Sequence, residues 1–358
     1  MDWIESLVLG VVQGVTEFLP ISSDGHLLVT QSFFAWLTGS GKSGEQNLLF
    51  DVILHLGTTV AILVYYRAAI ANGARGFLGD SLVPEEFQRS RLIWAGLLVI
   101  VATSPLVPFA LFFKKAIEAT FEGVGVAAVG FLITATVLVL TGWISRREGT
   151  KGLLQTTWLD ALLIGLAQTL APLPGVSRSG LTIAAALALG FSRTWAVGFS
   201  LMIAVPAIAG AVVFKIKDMT PADWQPDRLA QILAATVLAG VVGYLAIAWL
   251  VRVVRSGRIW YFSVYLVILA IVLFAARGRL EQASHDKPAS SVSGSAWVRA
   301  RSGDLLRAGV HGERALARSD AAGSRTGLAA SGAQEGGWGL PQGVVLERPL
   351  GGDAKRGS

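Results

Sequence analysis

Gln13-Gly14-Val15-Thr16-Glu17-Phe18-Leu19-Pro20-Ile21-Ser22-Ser23-Asp24-Gly25-His26 interrupts otherwise apolar sequence. A second stretch, Gln168-Thr169-Leu170-Ala171-Pro172-Leu173-Pro174-Gly175-Val176-Ser177-Arg178-Ser179-Gly180, resembles it. Both run from glutamine through an apolar stretch to Leu-Pro, then to a serine pair with a charged residue, then to glycine. Such a break inside membrane-embedded sequence is costly unless the freed backbone groups line a buried site. One break in each half of a chain points to a binding site between two repeats.

The surrounding composition supports a membrane setting. Hydrophobic residues make up 53% of the 358-residue chain and charged residues 15%, with a mean hydropathy of +0.58. Runs long enough to cross a bilayer, about 20 residues each, recur near 46–66, 92–113, 122–143, 195–214, 229–251 and 259–276. Any one of them could be a soluble core helix; six in one chain argue for spans. Met1-Asp2-Trp3-Ile4-Glu5 lacks the basic n-region of a cleavable signal peptide, so none is expected. There is no cysteine, which excludes disulfides and thiolate chemistry. The basic pI of about 9.8 does not call for a nucleic-acid partner, because much of the positive charge sits in short loops between spans.

Two hydrophobic segments, 4–37 and 158–190, are each long enough for two short helices but not for two full spans. They read as re-entrant hairpins, with Pro20 and Pro174 expected to end the first helix of each. With the hairpins non-crossing, loops 67–91, 144–157 and 252–258 fall on one side with Arg193. They carry Arg67, Arg75, Arg89, Arg91, Arg146, Arg147, Lys151, Arg252, Arg255 and Arg258. The opposite loops carry Lys42, Lys114, Lys115, Lys215, Lys217 and Arg228. The positive-inside rule makes the first side cytoplasmic. The hairpins then enter from opposite faces, which is an inverted-topology repeat. The expected fold is an all-α polytopic membrane protein of six transmembrane helices plus two re-entrant helical hairpins. The membrane-embedded domain runs over 1–277, with halves of about 1–143 and 144–277. Beyond Arg277, Gly, Ala, Ser and Arg dominate, and 278–358 is expected to be a disordered low-complexity tail.

Gln13 and Glu17 are spaced to share one face of a short helix. A carboxylate at membrane depth is usually functional, and Ser23, Asp24 and His26 follow just across the turn. Ser22, Ser23 and Asp24 also sit where a helix begins, so a capping role competes with a chemical one. Ser177-Arg178-Ser179-Gly180 opens a helix as well. Free N–H groups, two hydroxyls and a guanidinium together make an anion site, phosphate above all. Arg178 could instead pair with Glu17 or Asp24 for architecture. Thr182 adds a hydroxyl one turn on, unless it bonds back to its own helix. His26 is a credible base, acid or nucleophile, whereas a structural role for His55, inside a span, is at least as good a reading. Carboxylate, hydroxyl and amide oxygens suit Mg²⁺ or Ca²⁺. The sum is a membrane-buried site for an anionic, phosphorylated group, and spacing alone does not separate hydrolysis from transport.

At this point the chain resembles the undecaprenyl-diphosphate phosphatase family of the bacitracin-resistance type. The resemblance covers about 1–277. It rests on the two motifs, on Phe50-Asp51-Val52-Ile53-Leu54-His55-Leu56-Gly57-Thr58, and on Phe199-Ser200 with Val205-Pro206. It implies a multi-pass enzyme of the bacterial inner membrane. This enzyme would hydrolyse undecaprenyl diphosphate to undecaprenyl phosphate and inorganic phosphate, recycling the lipid carrier for peptidoglycan synthesis and conferring bacitracin resistance. It also implies a site open to the periplasmic face and a divalent cation, Mg²⁺ or Ca²⁺. The partners implied are the polyprenyl diphosphate substrate and the bilayer, with no nucleic acid; a homodimer stays open. By this resemblance Glu17 serves metal binding and catalysis, Ser23 is the nucleophile or positions it, and His26 is nucleophile or acid/base. Arg178 clamps phosphate, with Ser22, Ser177, Ser179, Gly180 and Thr182 around it. Gln13 stands where many members have glutamate, so the metal would rest on Glu17 with Gln13 or Asp24. A lipid transporter and a protein that only sequesters lipid diphosphate are the rival classes.

Odd-even counting puts the residues after Arg277 on the periplasmic side. Protease added to intact spheroplasts is expected to trim this tail without loss of phosphate release; protection until lysis would contradict the counted topology.

Overall fold

The computed structural model describes residues 3–38, 48–120, 123–217 and 226–285. Apart from two short 3₁₀ turns and one isolated bridge between Lys151 and Phe191, the ordered elements among these residues are α-helices. The first hairpin is α1 (Trp3–Thr16) and α2 (Ser23–Thr38). Then come α3 (Leu48–Tyr65), α4 (Arg67–Phe77), α5 (Arg89–Thr103), α6 (Leu106–Thr120) and α7 (Val124–Ile144). The second hairpin is α8 (Trp158–Gln168) and α9 (Arg178–Ala188), followed by α10 (Arg193–Lys217), α11 (Pro226–Arg255) and α12 (Tyr261–His285). Among the described residues five helical stretches are long and apolar enough to cross a membrane, Arg89–Phe113 of α5 and α6 counted as one, or six if the bent pair α3–α4 counts as one span. The protein is therefore a polytopic, all-helical membrane protein.

Several boundaries differ from the sequence expectation. Both hairpin helices end before their prolines, at Thr16 and Gln168, so Pro20 and Pro174 lie inside the tips. The expected span 92–113 begins at Arg89 and is interrupted by a turn at Ser104-Pro105, where proline cannot donate to the helix ladder. The chain bends by 69° between α3 and α4. α12 continues to His285, past the expected end of order at Arg277; the remainder of the proposed tail lies outside the described residues.

Packing follows a paired pattern. α1 lies on α11 as α8 lies on α5, and α2 lies on α12 as α9 lies on α7. α3 packs on α10, and α7 on α12. Phe50 of α3 and Phe199 of α10, the aromatic residues at the head of the two matching segments, are both buried. Close approach depends on small residues, since lipid removes the hydrophobic drive between helices and leaves van der Waals contact to hold them. A Cβ on Gly10 would lie 2.6 Å from the carbonyl of Ala235, one on Gly14 2.7 Å from that of Ala239, and one on Gly165 2.3 Å from that of Ala102. At one end of the bundle Arg193 donates to the carbonyls of Ser145 and Arg255. Trp94 donates to the Thr156 carbonyl and Trp195 to the Thr156 hydroxyl. Two of the loops grouped by charge counting, 144–157 and 252–258, thus meet with Arg193 at this end.

The tips of the two hairpins touch each other and α7. A Cβ on Gly25 would stand 2.7 Å from the nitrogen of Gly175, and one on Gly130 only 2.1 Å from the carbonyl oxygen of Pro174. Thr134 of α7 donates to the Gly175 carbonyl at 2.9 Å and accepts from the Ser177 N–H at 3.0 Å. Gly130→Ala is therefore expected to destabilise the protein by about 1–3 kcal/mol through overpacking. Gly96→Ala, where a Cβ meets nothing within 4 Å, serves as the control. Thermal unfolding in detergent measures both, and equal melting would contradict tip packing against α7.

Candidate active site between the hairpin tips

Glu17 lies at the C-terminal end of α1, its N–H bonded to the Gln13 carbonyl at 3.0 Å. One carboxylate oxygen accepts from Arg178 Nη2 at 2.8 Å, across the junction of the tips. The other accepts from Ser23 Oγ at 2.8 Å and from Gln13 Nε2 at 3.1 Å. Glu17 is 7% exposed and Gln13 fully buried. The predicted helix-face pair and the predicted architectural ion pair are thus both present, in one network. Two polar atoms beside it are buried without a hydrogen-bond partner: Arg178 Nη1 and Gln13 Oε1. A buried guanidinium donor with nothing to bond is costly, and an incoming anion would satisfy it.

The helix starts explain the serines. α2 begins at Ser23 and α9 at Arg178. Ser22 precedes the first and Ser177 the second, and each hydroxyl accepts an N–H from the first turn: Gly25 to Ser22 at 3.4 Å, Gly180 to Ser177 at 3.1 Å. The capping reading of Ser22 is therefore realised, and Ser177 caps its own helix. Ser179 lies 3.2 Å from the Ser177 hydroxyl and donates to the Leu19 carbonyl at 3.0 Å, a second strut between the tips. Thr182 bonds back to the Arg178 carbonyl at 2.9 Å and pairs with Ser200 at 2.6 Å. Asp24 sits partly exposed on the first turn of α2.

His26 is set apart from this network. Its Nδ1 lies 2.7 Å from the Ser22 carbonyl oxygen and its Nε2 lies 2.8 Å from the Tyr265 hydroxyl. Ser22 is the one described non-glycine residue with positive φ, 70°, and this left-handed turn helps present its carbonyl to the ring.

His55 joins the site more closely than its position inside a span suggests. Its Nδ1 donates to the Asp51 carbonyl, and its Nε2 is 3.7 Å from Glu17. Sequence spacing gave no signal for this or for Tyr265; only the membership of both Phe50–Thr58 and the hairpin in one resemblance hinted that His55 belonged with the motif. Among the described residues no three His, Asp or Glu side chains gather as a metal cluster. The available donors are the Glu17 carboxylate and the unpartnered Gln13 Oε1, hard oxygens that fit Mg²⁺ or Ca²⁺.

Fold and site together define a helical membrane protein with a buried carboxylate–guanidinium centre where two broken-helix hairpins meet. The chain belongs to the family described as bacitracin resistance protein BacA, whose model matches residues 6–272. An undecaprenyl-diphosphatase of Carboxydothermus hydrogenoformans is 35% identical over 277 residues, covering 76% of this chain and 97% of that protein. One of Hahella chejuensis is 37% identical over 273 residues, 75% of this chain and 96% of its own. One of Mycolicibacterium smegmatis is 34% identical over 281 residues, 78% of this chain and 98% of its own.

Glu17→Gln leaves Arg178 buried without its counter-charge and is expected to destabilise the protein by about 3 kcal/mol. Added inorganic pyrophosphate should recover part of the loss by taking over the guanidinium. Thermal unfolding with and without pyrophosphate checks this; no recovery would show that the guanidinium does not meet the anion.

Proposed function

We propose that this chain is an undecaprenyl-diphosphate phosphatase, hydrolysing the lipid diphosphate to undecaprenyl phosphate and inorganic phosphate. The observation that carries the reading is the convergence of Ser23, Glu17 and Arg178 at the tip junction, with a guanidinium donor left unbonded. The family membership and the names of the relatives support it. Recycling of the lipid carrier for peptidoglycan synthesis, and bacitracin resistance, follow from that activity.

In this mechanism the diphosphate enters between the tips with its polyprenyl chain left in lipid. Arg178 binds it through Nη1, aided by the N-terminal turns of α2 and α9, whose dipoles favour an anion. Ser22, Ser177, Ser179, Gly180 and Thr182 shape this phosphate cradle. Ser23 Oγ attacks the terminal phosphorus. Its proton passes to Glu17, already its hydrogen-bond acceptor, and the bond to the undecaprenyl phosphate oxygen breaks. Water then cleaves the phosphoserine, releasing inorganic phosphate. Glu17 as base to Ser23 is favoured over His26 because the serine hydroxyl points to the carboxylate. Glu17 and Gln13 would hold Mg²⁺ or Ca²⁺, with Asp24 the further carboxylate of the motif, and the bound ion would neutralise phosphate charge. Positioning and electrostatics supply most of the rate in such a transfer.

The same reading places the enzyme in the bacterial inner membrane, with six spans, two re-entrant hairpins in inverted repeat and the site open to the periplasm. The paired helix packing and the meeting of two of the Arg-rich loops at one end support that arrangement.

The test is phosphate release from undecaprenyl diphosphate by purified protein, with and without chelator. Multiple turnover separates an enzyme from a transporter or a sequestering protein. Arg178→Lys is expected to lower turnover by ~10²-fold, because one ammonium cannot serve both Glu17 and the phosphate as the guanidinium fork does. Near-normal turnover in that variant would reduce Arg178 to a point charge.

A further inference from the structure

Tyr265 of α12 lies outside both motifs, yet its hydroxyl touches the histidine of the first. The Ser22 carbonyl can only accept, so His26 Nδ1 carries a proton. In the neutral ring Nε2 is then the lone-pair nitrogen and accepts from the Tyr265 hydroxyl at 2.8 Å. If Nε2 gains a proton the same contact reverses, since a phenol oxygen also accepts. The ring also has two aromatic neighbours. Phe131 meets it edge-on with centroids 4.9 Å apart. Tyr265 lies nearly parallel to it, with centroids 5.7 Å apart and planes 14° from parallel. His26 is 9% exposed, while Tyr265 is 45% exposed.

Both ring nitrogens are therefore engaged, one by a backbone carbonyl and one by a hydroxyl that suits either protonation state. A histidine nucleophile needs a free lone pair, and neither nitrogen offers one. Nothing in the hydrogen bonding links His26 to Ser23, whose hydroxyl goes to Glu17.

We propose that Tyr265 is the positioning residue for His26. It holds Nε2 as a proton-exchanging atom and withholds it from covalent attack on phosphorus. This rests on the phosphatase reading above and adds to it a proton-exchanging role for His26.

The experiment compares Tyr265→Phe, His26→Gln and the double variant, in detergent, with undecaprenyl diphosphate as substrate. Phenylalanine keeps the aromatic ring and removes only the hydroxyl. Tyr265→Phe is expected to lower kcat by about tenfold or more at nearly unchanged KM, and His26→Gln by ~10²-fold or more. The double variant should be no slower than His26→Gln alone, because a residue acting through another has no separate contribution. A second readout does not depend on activity. In protein carrying ¹⁵N-histidine, the His26 Nε2 resonance, assigned by its loss in His26→Gln, should move in Tyr265→Phe while Nδ1 stays. Losses that multiply in the double variant would overturn the proposal, as would a silent Tyr265→Phe with an unmoved Nε2. So would a phosphohistidine trapped in Tyr265→Phe. Full activity in His26→Gln would remove the role of His26 itself and leave the Ser23–Glu17–Arg178 reading in place.

Discussion

The bond between Glu17 and Arg178 is the constraint on which the arrangement turns. It joins residues 161 apart in sequence and ties one hairpin tip to the other. Burying two charges is expensive, and their attraction offsets the cost only when the remaining donors and acceptors are served. On the carboxylate side they are: Gln13, Ser23 and Arg178 all donate to Glu17. On the guanidinium side they are not, because Nη1 has no partner. The imbalance is what makes the pair more than a strut. The protein surrounds one charge with donors and leaves a nitrogen of the other without a partner, at the place where we propose that an anionic headgroup arrives.

That bond can form only because the backbones come unusually close. Gly25 and Gly175 face each other across the junction, and Gly130 lets α7 approach Pro174. Gly175 also has φ +83°, a turn conformation that a side chain would strain. Thr134 then closes the tip by bonding two of its backbone groups with one hydroxyl. Irregular backbone at membrane depth is tolerated where protein supplies the missing hydrogen bonds, and here α7 does so. The Ser179 hydroxyl does the same for Leu19 on the other tip.

Much of this was legible in the sequence, because the signals were local. Glutamine-to-glycine motifs broken by proline mark hairpins, and apolar length marks spans. The Gln13–Glu17 spacing marks a shared helix face, and the pairing of Arg178 with Glu17 was one of the two readings open for that arginine. What escaped depends on contacts distant in sequence or on backbone detail. His55 and Tyr265 reach the site from other helices. The bend after Tyr65 falls at Tyr66, with no proline or glycine to announce it. The extension of α12 to His285 crosses the shift in composition used to end the domain at Arg277. The hydroxyl of Ser179 was read as a phosphate ligand from its type, and its present partner, the Leu19 carbonyl, lies on the other tip. Thr182, read either as a phosphate ligand or as bonded back to its own helix, does bond back to Arg178 and also meets Ser200.

The two motifs finally show how near-repetition can yield one asymmetric site. Ser22 and Ser177 cap their helices in the same way, so Ser23 and Arg178 occupy the same first helical position. Counting back from the caps, Gln13 matches Gln168, and both side chains are buried with an unpartnered carbonyl oxygen. The likeness stops there. Gln13 donates to Glu17, whereas Gln168 donates to the Ala102 carbonyl, because Pro172 stands where the carboxylate would be. One motif thus contributes a carboxylate and a hydroxyl, the other a guanidinium. Two copies of the first would set two carboxylates against each other at the junction, and two copies of the second would set two guanidiniums there. Only the unlike pair closes the tips with opposite charges, and the same unlikeness places a serine hydroxyl and a guanidinium within hydrogen-bonding reach of a single carboxylate.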